Sequence, residues 1–360
     1  MKHPLAIAFS LPITLCLMAS PSITAASSIY TELDSFSLSE PQPIYETIKD
    51  WQGHYEGGDF AETFNRFELG FRWHNWRVGY VARYDYRMNF SRDTALFYYQ
   101  EKNDLTPESD YVYDVDIEAY HQSSQGIAFH YDWRPLEQLT LTGSFAVLQA
   151  RALIDGRLSG QAQYLAGGRY GGNLSLDYQY TEDAIFARPL SGDHSANGYT
   201  FDIALDYRPN EQSRLYARTR DLIGRFYWDE APRTVARAQV AARTTEDPFE
   251  FYKRAAISGT ESYRDFVQHL PQRFEFGGSY QWHQWRFAVD TFVHPDQVYV
   301  LPRVERLYDA WTFSLLAEPQ LGALGVGVAA SNFYLELVSD SLSYERAHFL
   351  KLSIGARIDF

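Results

Sequence analysis

Cysteine occurs once in the 360 residues, at Cys16, and positive charge is scarce: 32 Lys and Arg face 46 Asp and Glu, a formal net charge of -14. A balance that acidic excludes a nucleic-acid binder, whose partner's phosphates call for a basic face, and a polybasic membrane-surface binder. Lysine is nearly absent; 27 of the 32 cations are Arg. Long apolar runs are also missing beyond the N-terminal leader, the longest being LGALGVGVAA at 321–330, which alternates large residues with Gly and Ala. That is well short of the ~20 residues of a membrane-crossing helix. With a mean hydropathy of -0.37, a bundle of such helices is excluded. The 10 His form no HExxH and no paired metal spacing, so neither metal nor cofactor is expected. GGRYGG at 167–172 lies between strands rather than before a helix, and reads as a turn.

The leader itself has a short basic start, Lys2 and His3, an apolar stretch at 5–19 broken by Pro12, and small residues before Ala26. Thr24 and Ala26 stand at -3 and -1 of a cleavage site, so residues 1–26 read as a secretory signal peptide rather than an anchor. A lipoprotein signal would use Cys16, but Leu15 before it is too bulky for that cleavage. Removal of the signal leaves a chain without cysteine, hence without disulfide, thiolate metal site or cysteine nucleophile.

What the chain has in abundance is aromatic rings, 16% of its residues, set in a period of two. In 350–360, Leu350, Leu352, Ile354, Ala356, Ile358 and Phe360 alternate with Lys351, Ser353, Gly355, Arg357 and Asp359. The same alternation runs through 76–87, 199–208 and 273–282. A soluble β-sandwich and a transmembrane barrel both produce it. Trp73, Trp76, Trp133, Trp282, Trp285 and Trp311 stand beside expected turns, where an interfacial girdle places amphipathic rings; a sandwich would bury Trp in mid-strand. The last strand, SIGARIDF, ends the chain on Phe360. In this it resembles the bacterial outer-membrane β-barrel class, porin-like in form, without pointing to one family. That resemblance implies an outer-membrane location, contact with outer-membrane lipid and lipopolysaccharide, and a terminal aromatic, Phe360, read by the barrel assembly machinery.

RFELGFRWHNWRVG at 66–79 is echoed by RFEFGGSYQWHQWRFA at 273–288, each with two residues between two Trp, the spacing of a tight hairpin. DWRPLEQL at 132–139 and DYRPNEQS at 206–213 mark further turns. The expected fold is all-β, a transmembrane antiparallel barrel of about 14 strands within a range of about 12 to 16, with short periplasmic turns and long external loops. Strands are expected at 63–73, 76–87, 111–133, 139–151, 156–166, 172–181, 198–208, 213–222, 272–282, 285–294, 310–318, 321–337 and 346–360. Parity calls for one more, expected in the tail 27–61, with 223–271 as the alternative. The barrel proper is assigned to 62–360. A short amphipathic helix at 42–54 is expected near the periplasmic mouth. The long insert at 229–271 fits either a segment folded into the lumen or an external loop.

On these registers Arg66, Arg77, Arg83, Asp85, Arg87, Arg218, Arg220, Arg273, Glu275, Arg286, Asp290 and Arg357 face the lumen. Arg suits bidentate pairing with carboxylates in a confined space. The expected function is a channel or passive transporter for small solutes, filtered by these charges; pairs that merely rigidify a closed barrel are the alternative. Acidic residues at 104–108 and 110–118 would make the outer mouth favour cations or disfavour anions, the commoner meaning of such a cluster being solvated loop charges. HQSSQG at 121–126 resembles the HQSNG segment of the outer-membrane phospholipase A family. The resemblance implies His121 as base and Ser123 as nucleophile on a lipid-facing surface. The chain departs from that pattern: Ser124 replaces the Asn, Gly126 is displaced by one, and the WNR segment is absent. No partner to orient the imidazole is left, so a channel without enzymatic activity is the reading preferred.

Overall fold

The computed structural model describes residues 27–49, 51–105, 111–165, 169–190, 192–240 and 256–360. The expected signal peptide lies outside the described residues. Strands β1 (Ser27–Ser39), β2 (Phe60–Trp73), β3 (Trp76–Phe90), β4 (Val112–Leu136), β5 (Leu139–Leu165) and β6 (Arg169–Tyr180) lead the chain. Then follow β7 (Ala196–Tyr207), β8 (Ser213–Arg220), β9 (Ile223–Val240), β10 (Ala256–His269), β11 (Arg273–Trp282) and β12 (Trp285–Val293). The last are β13 (Val298–Tyr308), β14 (Trp311–Glu318), β15 (Ala323–Ala330), β16 (Phe333–Ser339) and β17 (Phe349–Asp359). Two helices, α1 (Ile44–Lys49) and α2 (Arg92–Lys102), interrupt them.

All 17 strands belong to one antiparallel sheet, which β1 closes by pairing with both β2 and β17. Three strands prolong others along the same line. On one edge of β5, β7 pairs with 139–150 and β6 with 154–165. β9 continues β8 past Asp221 and Leu222, since β7 pairs with both. Likewise β10 and β11 run end to end along β9 and β8. Counted this way the wall has fourteen staves; the longer circuit through β6 and β9 passes 16 strands and leaves β10 outside. The all-β barrel and its expected strand number are borne out. Its missing stave is β1, in the tail where parity required it.

The structure differs from the expected elements at five places. The expected break at 152–155 is no turn: Ser123 pairs with Ala152 but Ser124 with Ala150, leaving Arg151 as a bulge. The bulge flips the alternation, and a phase change in sequence looks the same as a turn. The expected strand 321–337 is instead the hairpin β15–β16, and β13 was missed because Pro302 and the charges around it break the apolar alternation. The described parts of the 229–271 insert are wall strands, β9 and β10; residues 241–255 of it lie outside the described residues. Helix α1 sits at the mouth opposite the one expected, its Ile44 amide bonded to the carbonyl of Ala347 in the β16–β17 loop.

Ser27 and Phe360 meet at one end, Phe360 N donating to Ser27 O, beside the short turns. The two repeats become equivalent hairpins: Trp73 pairs with Trp76, Trp282 with Trp285, and His74 and His283 both take positive φ (54 and 56). Outward side chains along the staves are apolar and exposed, among them Phe71, Val78, Phe129, Phe287, Val304 and Val326. All six Trp of the expected girdle gather exposed at the short-turn rim; the remaining two, Trp51 and Trp228, are buried.

At the other end β4, β5, β6, β9 and β10 rise above their neighbours. Helix α2, whose N-cap Ser91 accepts from the Thr94 amide, covers the outer face of this extension through Leu96 and Phe97 on Tyr113, Val115 and Ala162. Residues 181–190, with Leu190 packing on Leu176, Tyr178 and Tyr180, cover the adjoining outer face, anchored by the buried Asp183, which accepts from Tyr178, Arg188 and the Phe186 amide (2.9 Å). Burial pushes the Asp183 carboxyl up, but these hydrogen bonds outweigh it and hold its pKa below the ordinary carboxylate value. A depressed folded pKa gives stability that is complete above the unfolded value and lost as pH falls through the folded one. Protection of the Phe186 amide, its exchange rate relative to the intrinsic rate at the same pH, is therefore expected to fall below about pH 4, and in Asp183→Asn to fall by about tenfold or more at neutral pH; protection unaffected by either change would remove Asp183 from this role.

Candidate functional site: the barrel lumen

A residue on a stave faces inward when its register partners do, and all twelve charged residues expected in the lumen fall on inward positions. They do not form one ladder. Near the short turns, Asp132 on β4 receives Arg72 (3.1 Å) and Arg77 (3.6 Å), with the Thr142 hydroxyl donating at 2.8 Å. One level up, Glu68 accepts from Tyr30 (2.6 Å) and Arg66 (2.7 Å) and lies 2.8 Å from His130 Nε2. The Tyr30 ring fits because Gly70 stands beneath it, where a Cβ would lie 2.5 Å from the phenol oxygen.

The centre is a buried ionic knot. Arg83 forks onto Asp221 (2.6 and 2.7 Å) and also reaches Asp85 (2.9 Å). Gln122 donates to Asp85 and Thr200 to Asp221, both at 2.7 Å. Asp221 reaches this position from the break between β8 and β9, where its φ is 57. Beside it Arg273 pairs with Glu62 at 3.1 Å and stands 4.0 Å from Asp221, while His294 Nδ1 lies 2.7 Å from the second oxygen of Glu62. The Phe64 ring lies under three guanidiniums, those of Arg273, Arg220 and Arg83, at 4.3, 5.6 and 5.8 Å. Arg83, Asp85, Glu62, Asp221 and Arg273 are each at most 6% exposed.

Two apolar packings flank the knot. Phe226, Trp228 and Leu270 of the β9–β10 side meet Val81, Ala128, Leu148 and Leu153 across the interior. Gln268 of β10 reaches far enough to donate to the backbone carbonyl of His121 on β4 (3.0 Å). Toward the long-loop end of the other half, Phe36, Leu38, Tyr299, Leu301, Leu316, Val338 and Phe349 pack together.

Two cavities open beside the knot. The outer one, about 650 Å³, lies between Arg87, Glu118, Tyr120 and Asp155 on one side and the 266–274 segment and His294 on the other. The inner one, about 370 Å³, runs between β1 and β8, β11 to β17, lined by Arg218, Arg220, Glu275, Arg286, Asp290, Arg303, Glu336 and Lys351. Both are bounded by Phe274 and His294, so the Arg273–Glu62–His294 group stands at their junction.

Of the remaining expected residues, Arg87 pairs with Asp296 (3.2 Å) at the outer side, and Arg357 with Asp359 (2.8 Å) at the rim. Glu62, Asp221, His294, Arg303 and Glu336 escaped sequence reading of the lumen. Glu62 sits one residue before the expected start of its strand, Asp221 in a strand break, His294 at a strand end, and Arg303 in the unrecognised β13. The acid-rich outer mouth is only partly in view, since 106–110 lie outside the described residues; Asp116 there is paired bidentately with Arg157 (2.8 and 2.6 Å). His121 and Ser123 do face outward, opposite Tyr86 and Tyr84. His121 Nδ1 lies 2.8 Å from the Asp85 carbonyl, its ring beside Tyr84 and Tyr86, and no hydrogen bond joins it to Ser123 among the described residues.

A closed antiparallel barrel with an apolar outer face and a charge-paired interior is the architecture of the outer-membrane β-barrel class. No family model matches the chain, and no curated protein matches it in sequence. Among solved structures, a deletion mutant of the TodX monoaromatic hydrocarbon channel is similar at 10% identity and a TM-score of 0.43, over 93% of this chain and 90% of that one. The Pseudomonas putida toluene transporter TodX gives 10% and 0.39 over 93% and 89%, and the P pilus usher PapC pore 10% and 0.22 over 93% and 99%. The barrel assignment rests on the closed ladder and its two faces, not on these likenesses.

Removing one partner of the knot leaves uncompensated buried charge. Arg83→Ala, which sets Asp85 and Asp221 side by side, is expected to cost about 3–5 kcal/mol. The urea midpoint of the folded barrel should fall accordingly, and an unchanged midpoint would show that the knot contributes no stability.

Proposed function

We propose that this chain is an outer-membrane channel or passive transporter for small solutes, resting in a closed conformation. The reading places it in the outer membrane after export by its 1–26 signal, with Phe360 presented to the assembly machinery. The observation that carries it is the junction at Arg273: two cavities, of about 650 and 370 Å³, share Phe274 and His294 there and are parted by the side chains of Arg273, Glu62 and His294. Side chains change rotamer without breaking the sheet, so this barrier can open while the wall stays intact. The knot is also incompletely satisfied. Arg273 Nη1, Arg83 Nε and Asp85 Oδ1 are buried without hydrogen-bond partners among the described residues. Unmet polar groups of that kind narrow the free-energy gap between closed and open arrangements.

A second reading is a permanently closed barrel with a structural role, favoured by the two apolar packings that fill the interior on either side of the knot. Conductance in a planar bilayer separates the two. The refolded protein is expected to show rare discrete openings, and Arg273→Ala, which removes the side chain at the junction, to raise the open probability by about tenfold or more. Silence from both proteins, each shown to be folded by heat-modifiable gel migration, would reject the channel and leave the structural barrel.

A further inference from the structure

Cations crowd the wall of the inner cavity, two of them, Arg214 and Arg273, paired with Asp206 and Glu62 behind it. The protein carries a formal net charge of -14, yet the cavity wall holds more cations than carboxylates: seven Arg and Lys against five Asp and Glu. Four of those carboxylates are already committed. Arg303 holds Asp290 (2.9 Å), Glu305 (3.3 Å) and Glu336 (3.2 Å) together; Arg286 shares Glu305 (2.9 Å) and Lys351 shares Glu336 (2.5 Å). Asp34 belongs to Arg220. The fifth, Glu275, lies opposite Arg218 in the β8–β11 ladder, but its nearest oxygen is 3.8 Å from the guanidinium, too far for a hydrogen bond. Arg218 is thus the one cation of this wall with no hydrogen bond to an acid among the described residues, and its side chain is 47% exposed.

From this geometry we infer that the inner cavity is a binding site for a small dianion bearing carboxylate or phosphate oxygens, with Arg218 as its principal contact. The inference rests on the transport reading for its purpose but not for its test. A guanidinium offers two parallel N–H donors that match a carboxylate or phosphate edge, and a confined site strengthens each charge-assisted bond. Supporting donors stand on the same wall: the hydroxyls of Ser314 and Ser353, and the phenol of Tyr334, whose ring lies flat against Gly355, where any Cβ would meet it at 2.1 Å. That glycine is what lets Tyr334 lie along the wall rather than across the space a ligand needs. At about 370 Å³ the cavity takes a small metabolite and not an oligomer. The cation preference expected from the acidic segment 104–118 would then apply to the outer mouth alone.

Equilibrium titration of the refolded protein in detergent at low salt tests this, with succinate and inorganic phosphate as separate probes and 1,4-diaminobutane as the cationic counterpart. At least one dianion is expected to bind, the diamine not to, and raised salt to weaken binding; which dianion binds tells carboxylate from phosphate. Arg218→Gln should weaken binding by about tenfold, and Glu275→Gln, which removes the acid facing Arg218, should tighten it. Arg157→Gln, on the extension far from the cavity, is the control. Failure of both dianions to bind, equal binding of the diamine, or unchanged affinity in both Arg218→Gln and Glu275→Gln would each overturn the site. A protein that binds succinate but is silent in a bilayer would reject the channel and keep the site; one that conducts but binds neither dianion would do the reverse.

Discussion

Everything in this molecule depends on the pairing of its first strand with its last. In hydrocarbon no water is present to satisfy a backbone N–H or C=O, so a sheet with an open edge cannot stand there. The β1–β17 ladder, eleven residue pairs from Ser28 with Asp359 to Leu38 with Phe349, removes that edge. Closure fixes the rest: it sets which residues of each stave face inward, and so gathers side chains from all parts of the sequence into one narrow interior.

That interior is organised by charge more than by apolar packing. Fourteen staves enclose more space than their side chains fill by themselves. Here the surplus is taken up by long Arg side chains anchored on carboxylates from distant staves: Arg83 on Asp221, Arg273 on Glu62, Arg303 on Glu336. Each such pair ties two parts of the wall across the lumen. Burying it is costly in solvation, which the mutual attraction offsets only when geometry is good. The bidentate Arg83–Asp221 contact meets that standard. The 4.0 Å approach of Arg273 to Asp221 does not, and it falls where the two cavities adjoin. Strong pairing thus braces the wall, and the weaker contact stands at the junction.

Much of this was legible in the residue order because a strand's side-chain period is two. Once Trp76, Val78 and Tyr80 are placed outside, Arg77, Arg83 and Asp85 must be inside, and the structure puts them there. The paired Trp–His–X–Trp hairpins and the terminal Phe360 were equally plain, since a two-residue turn is a local object. Reading failed where alternation is interrupted. The bulge at Arg151, the break at Asp221 and Leu222, and Pro302 within β13 each shift or mask the phase. Phase is the sole local signal that separates one long strand from two short ones.

The sequence by itself determined that the chain is an alternating, aromatic-rimmed β-barrel with a charged interior, because alternation, turn chemistry and ring placement are properties of neighbours along the chain. Which charges meet was decided only by tertiary structure. Arg83 and Asp221 are 138 positions apart and Glu62 and His294 are 232 apart; nothing local relates them. Their pairing follows from the stagger at which the ring closes. The same stagger leaves Arg218 facing open space, with its nearest acid beyond hydrogen-bond reach.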